Sequence, residues 1–152
     1  MDPKTHIALE QAITDYDARA DDVQIAAERV ISERDQFLQN FRNATQDIIL
    51  PALGEIQLEL EKHGWKCDAI PSKESDSIKF EIFRGEMVAA GGQSRPFINF
   101  AALPDSSEVE IYSATQSEGS GQDRYPTSQV TPDFVQQQVL AFVQKLAAEP
   151  IN

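Results

Sequence analysis

Apolar residues recur at alternating steps of three and four along residues 2–50, a stretch with no glycine and no proline after Pro3. This spacing keeps one apolar stripe along a helix, so it predicts a single long helix with a coiled-coil-like seam. Ala20 and Ala27 weaken the seam because they are small, and Arg34 interrupts it with a charge. With Ile13 at heptad position a, the predicted association seam contains Ile13, Tyr16, Val23, Val30, Phe37 and Phe41.

The length of this helix indicates a partner. About 48 helical residues extend over roughly 72 Å, whereas a compact domain of this chain length is about 40 Å across. A hairpin that breaks near residues 21–22 or 40–43 is the alternative, but neither place contains glycine or proline. We therefore expect a continuous helical arm that forms a homodimer or joins a helical bundle.

Pro51 marks the end of the predicted arm. Proline lacks a backbone donor and crowds the preceding turn, so we expect a kink at Leu50–Pro51. A second helix should follow from Pro51 to His63 and end at Gly64, since glycine readily adopts the conformation that terminates helices. The predicted domains are an association arm at 1–50 and a core domain at 51–152.

Strand patterns follow the second helix. The predicted strands cover residues 65–70, 77–83, 96–103 and 108–115, with a turn at Gly91–Gly92 before the third. Thr131 and Pro132 are typical of a helix start and precede a closing amphipathic helix. The predicted fold class is α+β: a long N-terminal helix, a four-stranded antiparallel meander, and a C-terminal helix packed on the sheet.

The third predicted strand is apolar on both faces. If helices cover one face of the sheet, one of its two sets of side chains faces solvent. We predict that Ile98 and Phe100 form a partner surface, rimmed by charges from neighbouring strands. The alternative is a central strand whose second face is covered by the arm.

Residues 116–130 read QSEGSGQDRYPTSQV and predict a long connection without secondary structure. Connections of this length are either functional or mobile, and we favour a mobile one.

The formal net charge is −12, and residues 1–63 contribute −7 of it, from thirteen carboxylates and six Lys or Arg side chains. Such a charge opposes direct binding to nucleic acid or to anionic membranes. The N-terminus lacks the pattern of a signal peptide, and the single cysteine, Cys67, allows no internal disulfide. We expect a cytoplasmic protein.

Candidate chemistry is sparse. His6 and His63 are far apart in sequence and belong to no metal-binding motif, and Cys67 alternates with Trp65 as a core residue would. Paired carboxylates on the helix and in the loops suggest solvation rather than acid–base catalysis. We predict no catalytic residues, no metal site and no cofactor, and expect the protein not to be an enzyme.

These patterns favour a non-catalytic protein–protein interaction or adaptor function, exerted through the N-terminal helix. One alternative is an acidic inhibitor that mimics nucleic acid and binds a basic protein surface. A second alternative is a small-ligand-binding protein or an enzyme that uses the loop 116–130. No motif ties the sequence to a known family.

Overall fold

A computed structural model describes residues 1–72, 74–84, 95–115, 119 and 121–149. The predicted α+β class, with its long N-terminal helix, antiparallel sheet and closing helix, is confirmed. The elements in chain order are α1 (Pro3–Ala44), a π-helical turn (Thr45–Ile49), α2 (Leu50–Lys62), β1 (Lys66–Ser72), β2 (Ser77–Phe83), β3 (Phe97–Leu103), β4 (Glu108–Ala114), β5 (Asp123–Pro126), a 3-10 turn (Thr127–Gln129) and α3 (Pro132–Ala147).

Helix α1 runs unbroken for 42 residues, as the continuous-helix prediction requires. The Asp2 carboxylate accepts a hydrogen bond from the backbone N–H of Lys4 at 3.4 Å. Asp before the helix and Pro3 at its first position both suit a helix start, because the first N–H groups have no partners within the helix.

The π-helical turn explains how the helix accommodates Pro51. The backbone N–H of Leu50 donates to the carbonyl of Thr45, five residues earlier, in place of the usual four. Pro51 has no N–H group, and its ring crowds the carbonyl of Asp47, so a widened turn relieves the clash. The irregularity expected at Leu50–Pro51 is therefore a π-helical turn just before the proline.

Gly64 ends α2 as predicted. Its φ of +83° lies in the left-handed region that favours glycine. The backbone N–H groups of Gly64 and Trp65 donate to the carbonyls of Glu61 and Leu60. These two bonds satisfy carbonyls that the helix end leaves open, and they turn the chain into β1.

The sheet has five strands in the order β1-β2-β3-β4-β5, and all neighbours are antiparallel. The prediction of four strands misses β5 because Asp123–Pro126 lies inside the connection 116–130. That segment is not a free loop, since the Tyr125 ring packs edge-on against Phe134 of α3 with centroids 5.0 Å apart. Residues 116–118 and 120, and the turn predicted at Gly91–Gly92, lie outside the described residues.

One face of the sheet forms the core. Strands β2 and β3 bury every second side chain, β4 buries Val109 and Ile111, and α2 and α3 supply the opposing layer. Thr131 caps α3 by accepting a hydrogen bond from the Phe134 N–H at 3.1 Å, as the sequence predicts. The central buried side chains are Leu53, Ile78, Phe80, Ile82, Ile98, Phe100, Val109, Ile111, Val135, Val139, Phe142 and Leu146.

Ile98 and Phe100 do not form a partner surface. Their exposed fractions are 2% and 0%, and both belong to the core. The strand register is the reason: Ile98 lies opposite Phe80, and Phe100 lies opposite Ile78. Directly opposed residues of antiparallel strands share a face, so these side chains lie on the buried face. The charged residues of β2 lie on the other face.

Phe37 and Phe41 are also core residues rather than members of an exposed seam. Their exposed fractions are 7% and 2%. The chain divides into two compact units, Met1–Gln36 and Phe37–Asn152, so the last turns of α1 belong to the second unit. The predicted boundary at residue 50 falls within the helical segment that packs on the core.

We expect Phe100→Ala to lower the free energy of unfolding by about 3–5 kcal/mol, because it leaves a cavity in a fully packed layer. Phe97→Ala is the matched control, since Phe97 is in the same strand but only partly buried on the other face. Urea denaturation measures both. A similar loss for the two variants would contradict the assignment of the core face.

Two fragments test whether Phe37 and Phe41 are core residues. A fragment that begins at Glu33 keeps both, and we expect it to unfold cooperatively in urea. A fragment that begins at Thr45 lacks two buried aromatic side chains, each worth about 3–5 kcal/mol, out of a typical total stability of about 5–15 kcal/mol. It should be molten or unfolded by near-ultraviolet circular dichroism. Equal stability of the two fragments would contradict the assignment.

Candidate association surface

Every residue from Met1 to Gln36 is exposed. Four residues of the predicted seam, Ile13, Tyr16, Val23 and Val30, are between 53% and 71% exposed. Large apolar side chains repeated along one side of a helix are typical of an association site, because water solvates them poorly. We define the seam as the a and d positions between residues 9 and 34: Leu9, Ile13, Tyr16, Ala20, Val23, Ala27, Val30 and Arg34.

Other large apolar residues of this segment lie off the seam, among them Ile7, Ile25 and Ile31. Ile7 and Ile25 occupy heptad positions b and f, and they are 66% and 55% exposed. They have the same chemistry as the seam residues but lie on other sides of the helix. They therefore provide matched controls for substitutions in the seam.

The polar contacts of His6 and Gln11 join residues one turn apart and are weak. The His6 imidazole lies 3.1 Å from the Glu10 carboxylate, one turn away. The Gln11 amide donates to Asp15 at 2.9 Å with the same spacing. Exposed contacts of this kind contribute only a few tenths of a kcal/mol each. Most helical stability in proteins comes from burying an apolar face, and residues 3–36 bury none.

The outer face of the sheet carries charge and aromatic rings together. Lys79 lies 3.9 Å from Glu81 and 5.5 Å from the centroid of the Phe97 ring. Phe97 in turn packs against Tyr112 with centroids 5.8 Å apart. These contacts satisfy the charges locally and shield much of the rings, so this face is less apolar than the seam.

A cleft of about 460 Å³ lies between the end of α1 with its π-helical turn and the β1–β2 hairpin. Across it, the Arg42 guanidinium donates to both carboxylate oxygens of Asp76, at 2.9 and 3.3 Å. Asp76 has a φ of +45°, in the left-handed region that Asp tolerates better than most residues. Other lining residues are Gln39, Asn43, Gln46, Ser72 and Ser77.

This cleft has polar groups that can bind a ligand, beside the apolar side chains of Phe41 and Pro71. The Ser72 and Ser77 hydroxyls hydrogen-bond to Ser75 at 3.0 and 2.8 Å, and none of the described residues that line the cleft is a histidine or a cysteine. Its amides and hydroxyls suit a small polar group or a peptide backbone. The cleft is not visible in the sequence because its two walls are about thirty residues apart along the chain. Pro51, which widens the helix nearby, is the one local signal.

Cys67 is a buried core residue, as expected, with an exposed fraction of 5%. Burial raises the pKa of its thiol from 9.0 to about 12, and the nearby carboxylates of Glu61 and Asp68 add to the shift. Both causes disfavour the thiolate, which is the nucleophilic form of cysteine. The thiol therefore stays protonated at neutral pH.

In comparisons with known proteins, no family model, no curated protein and no solved structure matches this chain. Across the part of the chain that the structure describes, no three His, Cys, Asp or Glu side chains group together in a way that would hold a metal ion. None of the helices among these residues combines the length and hydrophobicity needed to span a bilayer.

We expect the native chain to react with a thiol reagent such as DTNB far more slowly at pH 8 than the urea-unfolded chain. Stability should also depend on the thiol at alkaline pH. Above about pH 9.0 the unfolded thiol loses its proton while the folded one keeps it, so the free energy of unfolding falls as pH rises towards 12. In the Cys67→Ala variant, the free energy of unfolding should fall less over the same pH range. Rapid labelling of the native chain would contradict the burial of Cys67.

Proposed function

We propose that this chain is a non-catalytic protein–protein interaction protein that binds helices of protein partners through the seam. The observation that supports the proposal is the exposure of Ile13, Tyr16, Val23 and Val30 on one side of a continuous helix. Full burial of such side chains is worth about 1.5–3 kcal/mol each, which is available to the protein only when a partner covers them.

The isolated helical segment has little to stabilise it otherwise. The contacts of His6 with Glu10 and of Gln11 with Asp15 are exposed and local, and helices of this kind are marginal in water without a packed face. A partner helix would supply that packing. Association and full helix formation over residues 3–36 should therefore be coupled.

Charge distinguishes this proposal from an acidic decoy. Residues 1–36 carry nine carboxylates and four Lys or Arg side chains, a net charge of −5. Added salt screens repulsion between acidic helices, so association through an apolar seam should persist or strengthen in salt. A decoy on a basic surface would lose affinity steeply in salt, because its attraction is electrostatic.

We also propose a cytoplasmic location. The single cysteine is a free thiol. Proteins of oxidising compartments more often use their cysteines in disulfides.

The double variant Tyr16→Asp with Val23→Asp tests the proposal. Each substitution places a charge at a position that association buries, at a cost of about 2 kcal/mol or more. Two of them should weaken association by at least about a thousandfold, at 1.4 kcal/mol per factor of ten. Light scattering measures the loss for self-association, and co-purification from the native host measures it for other proteins.

The matched control is the double variant Ile7→Asp with Ile25→Asp, which adds the same charge to the same helix away from the seam. We expect it to associate as the unmodified chain does. If both variants lose association equally, the cause is the added charge or the lower helix propensity and not the seam. Unchanged association in the seam variant would refute the proposed function.

A further inference from the structure

We propose that the partner of the seam is a second copy of this chain, bound in antiparallel orientation with Ile13 level with Val30 of the other copy. This inference rests on the proposed function and specifies its partner. It uses only residues of the exposed segment 3–36, and three properties of the seam lead to it: side-chain size, the place of Arg34 and the distribution of charge.

Side-chain size favours the antiparallel orientation. A parallel in-register pair places each residue opposite its own copy, so Ala20 and Ala27 would each face another alanine. These narrow layers would alternate with wide Tyr16–Tyr16 and Val23–Val23 layers. One distance between the helix axes could not give close packing in both kinds of layer. Cores pack well when large residues oppose small ones.

Reversing one helix removes this mismatch, because each layer then contains one a and one d residue. With Ile13 level with Val30 of the second copy, Ala20 lies opposite Val23 and Ala27 lies opposite Tyr16. Every small residue therefore faces a larger one. The paired stretch from Leu9 to Arg34 covers about 38 Å of helix at 1.5 Å per residue.

Arg34 gives an independent reason. In a parallel pair, two Arg34 guanidinium groups would occupy one layer and repel each other. In the antiparallel register, each Arg34 lies level with Leu9 of the other copy and beside its Glu10, at the adjacent e position. The two Arg34 groups are then about 25 residues, or roughly 38 Å, apart along the helix axis. A partly buried arginine next to a carboxylate is far better tolerated than next to another arginine.

The charge distribution of the segment agrees with this arrangement. Residues 5–18 contain three carboxylates, Glu10, Asp15 and Asp17, and no Lys or Arg. Residues 19–36 contain five carboxylates and the three arginines Arg19, Arg29 and Arg34, so their net charge is −2, against −3 for residues 5–18. The antiparallel orientation pairs the less acidic half of one copy with the more acidic half of the other. A parallel orientation pairs the two more acidic halves, so its repulsion is slightly larger, and charge adds only a small preference.

Cysteine cross-linking of the full chain tests the inference. Chains with Ile13→Cys and chains with Val30→Cys are mixed in equal amounts and oxidised with copper–phenanthroline. We expect a covalent 13–30 dimer in the mixture. No covalent dimer should form when either variant is oxidised alone. In the proposed register the two copies of position 13 are about 17 residues, or roughly 25 Å, apart, whereas a disulfide requires Cα atoms within about 7 Å. The unmodified chain is the control, since its Cys67 is buried.

Intact mass spectrometry identifies the linked pairs, and light scattering gives the mass of the unlinked assembly. Links of 13 to 13 and 30 to 30 in the separate variants would overturn the orientation and leave the proposed function standing. A monomeric or tetrameric mass at tens of micromolar protein would overturn the antiparallel dimer. The proposed function fails separately, if the Tyr16→Asp, Val23→Asp variant retains every association of the unmodified chain.

Discussion

Burial of one face of the five-stranded sheet is the interaction on which the folded part of this protein depends. Phe80 and Phe100 lie at its centre, both fully buried, and α2 and α3 supply the opposing layer. Since a sheet face and a helix stripe are each stable only when covered, the two layers hold each other in place. The last turns of α1 join this core through Phe37 and Phe41.

The π-helical turn follows from the same requirement. Pro51 prevents a regular helix, yet Ile49 before it and Leu53 after it are both buried, with exposed fractions of 0% and 1%. A wider turn keeps both side chains against the sheet while the proline ring fits into the helix. The cleft beside Arg42 and Asp76 lies next to this irregular stretch. π-helical turns often occur at functional sites, and this one lines the cleft through Thr45 and Gln46.

Residues 3–36 obey a different constraint, because they bury nothing themselves. Their apolar positions follow the heptad spacing of the seam, and their carboxylates outnumber their basic groups. The association that we propose must therefore gain more free energy from apolar burial than it loses to repulsion between acidic helices. The alanines and Arg34 reduce that gain in a parallel pair. The alanines and Arg34 reduce the gain much less in the proposed antiparallel pair, where each alanine lies opposite Val or Tyr and each arginine lies beside a carboxylate.

The sequence by itself determined the features set by neighbouring residues. Gly64 ends α2 with a positive φ and Thr131 caps α3, since both features depend on backbone groups within a few residues. The apolar alternation in β2 and the apolar spacing in α3 can be read from the sequence and agree with their buried faces, because the period of an element is local. The exposed members of the seam, Ile13 to Val30, were predictable for the same reason.

The tertiary structure alone decided the features that join distant segments. Which face of β3 is buried depends on the pairing of Ile98 with Phe80, and the isolated strand is apolar on both faces. Phe37 and Phe41 fit the heptad as well as Val30 does, and only the core of residues 37–152 separates them from the seam. Strand β5 lacks a strong apolar pattern of its own. It forms because it pairs with the edge of β4 and because its Tyr125 packs against Phe134 of α3.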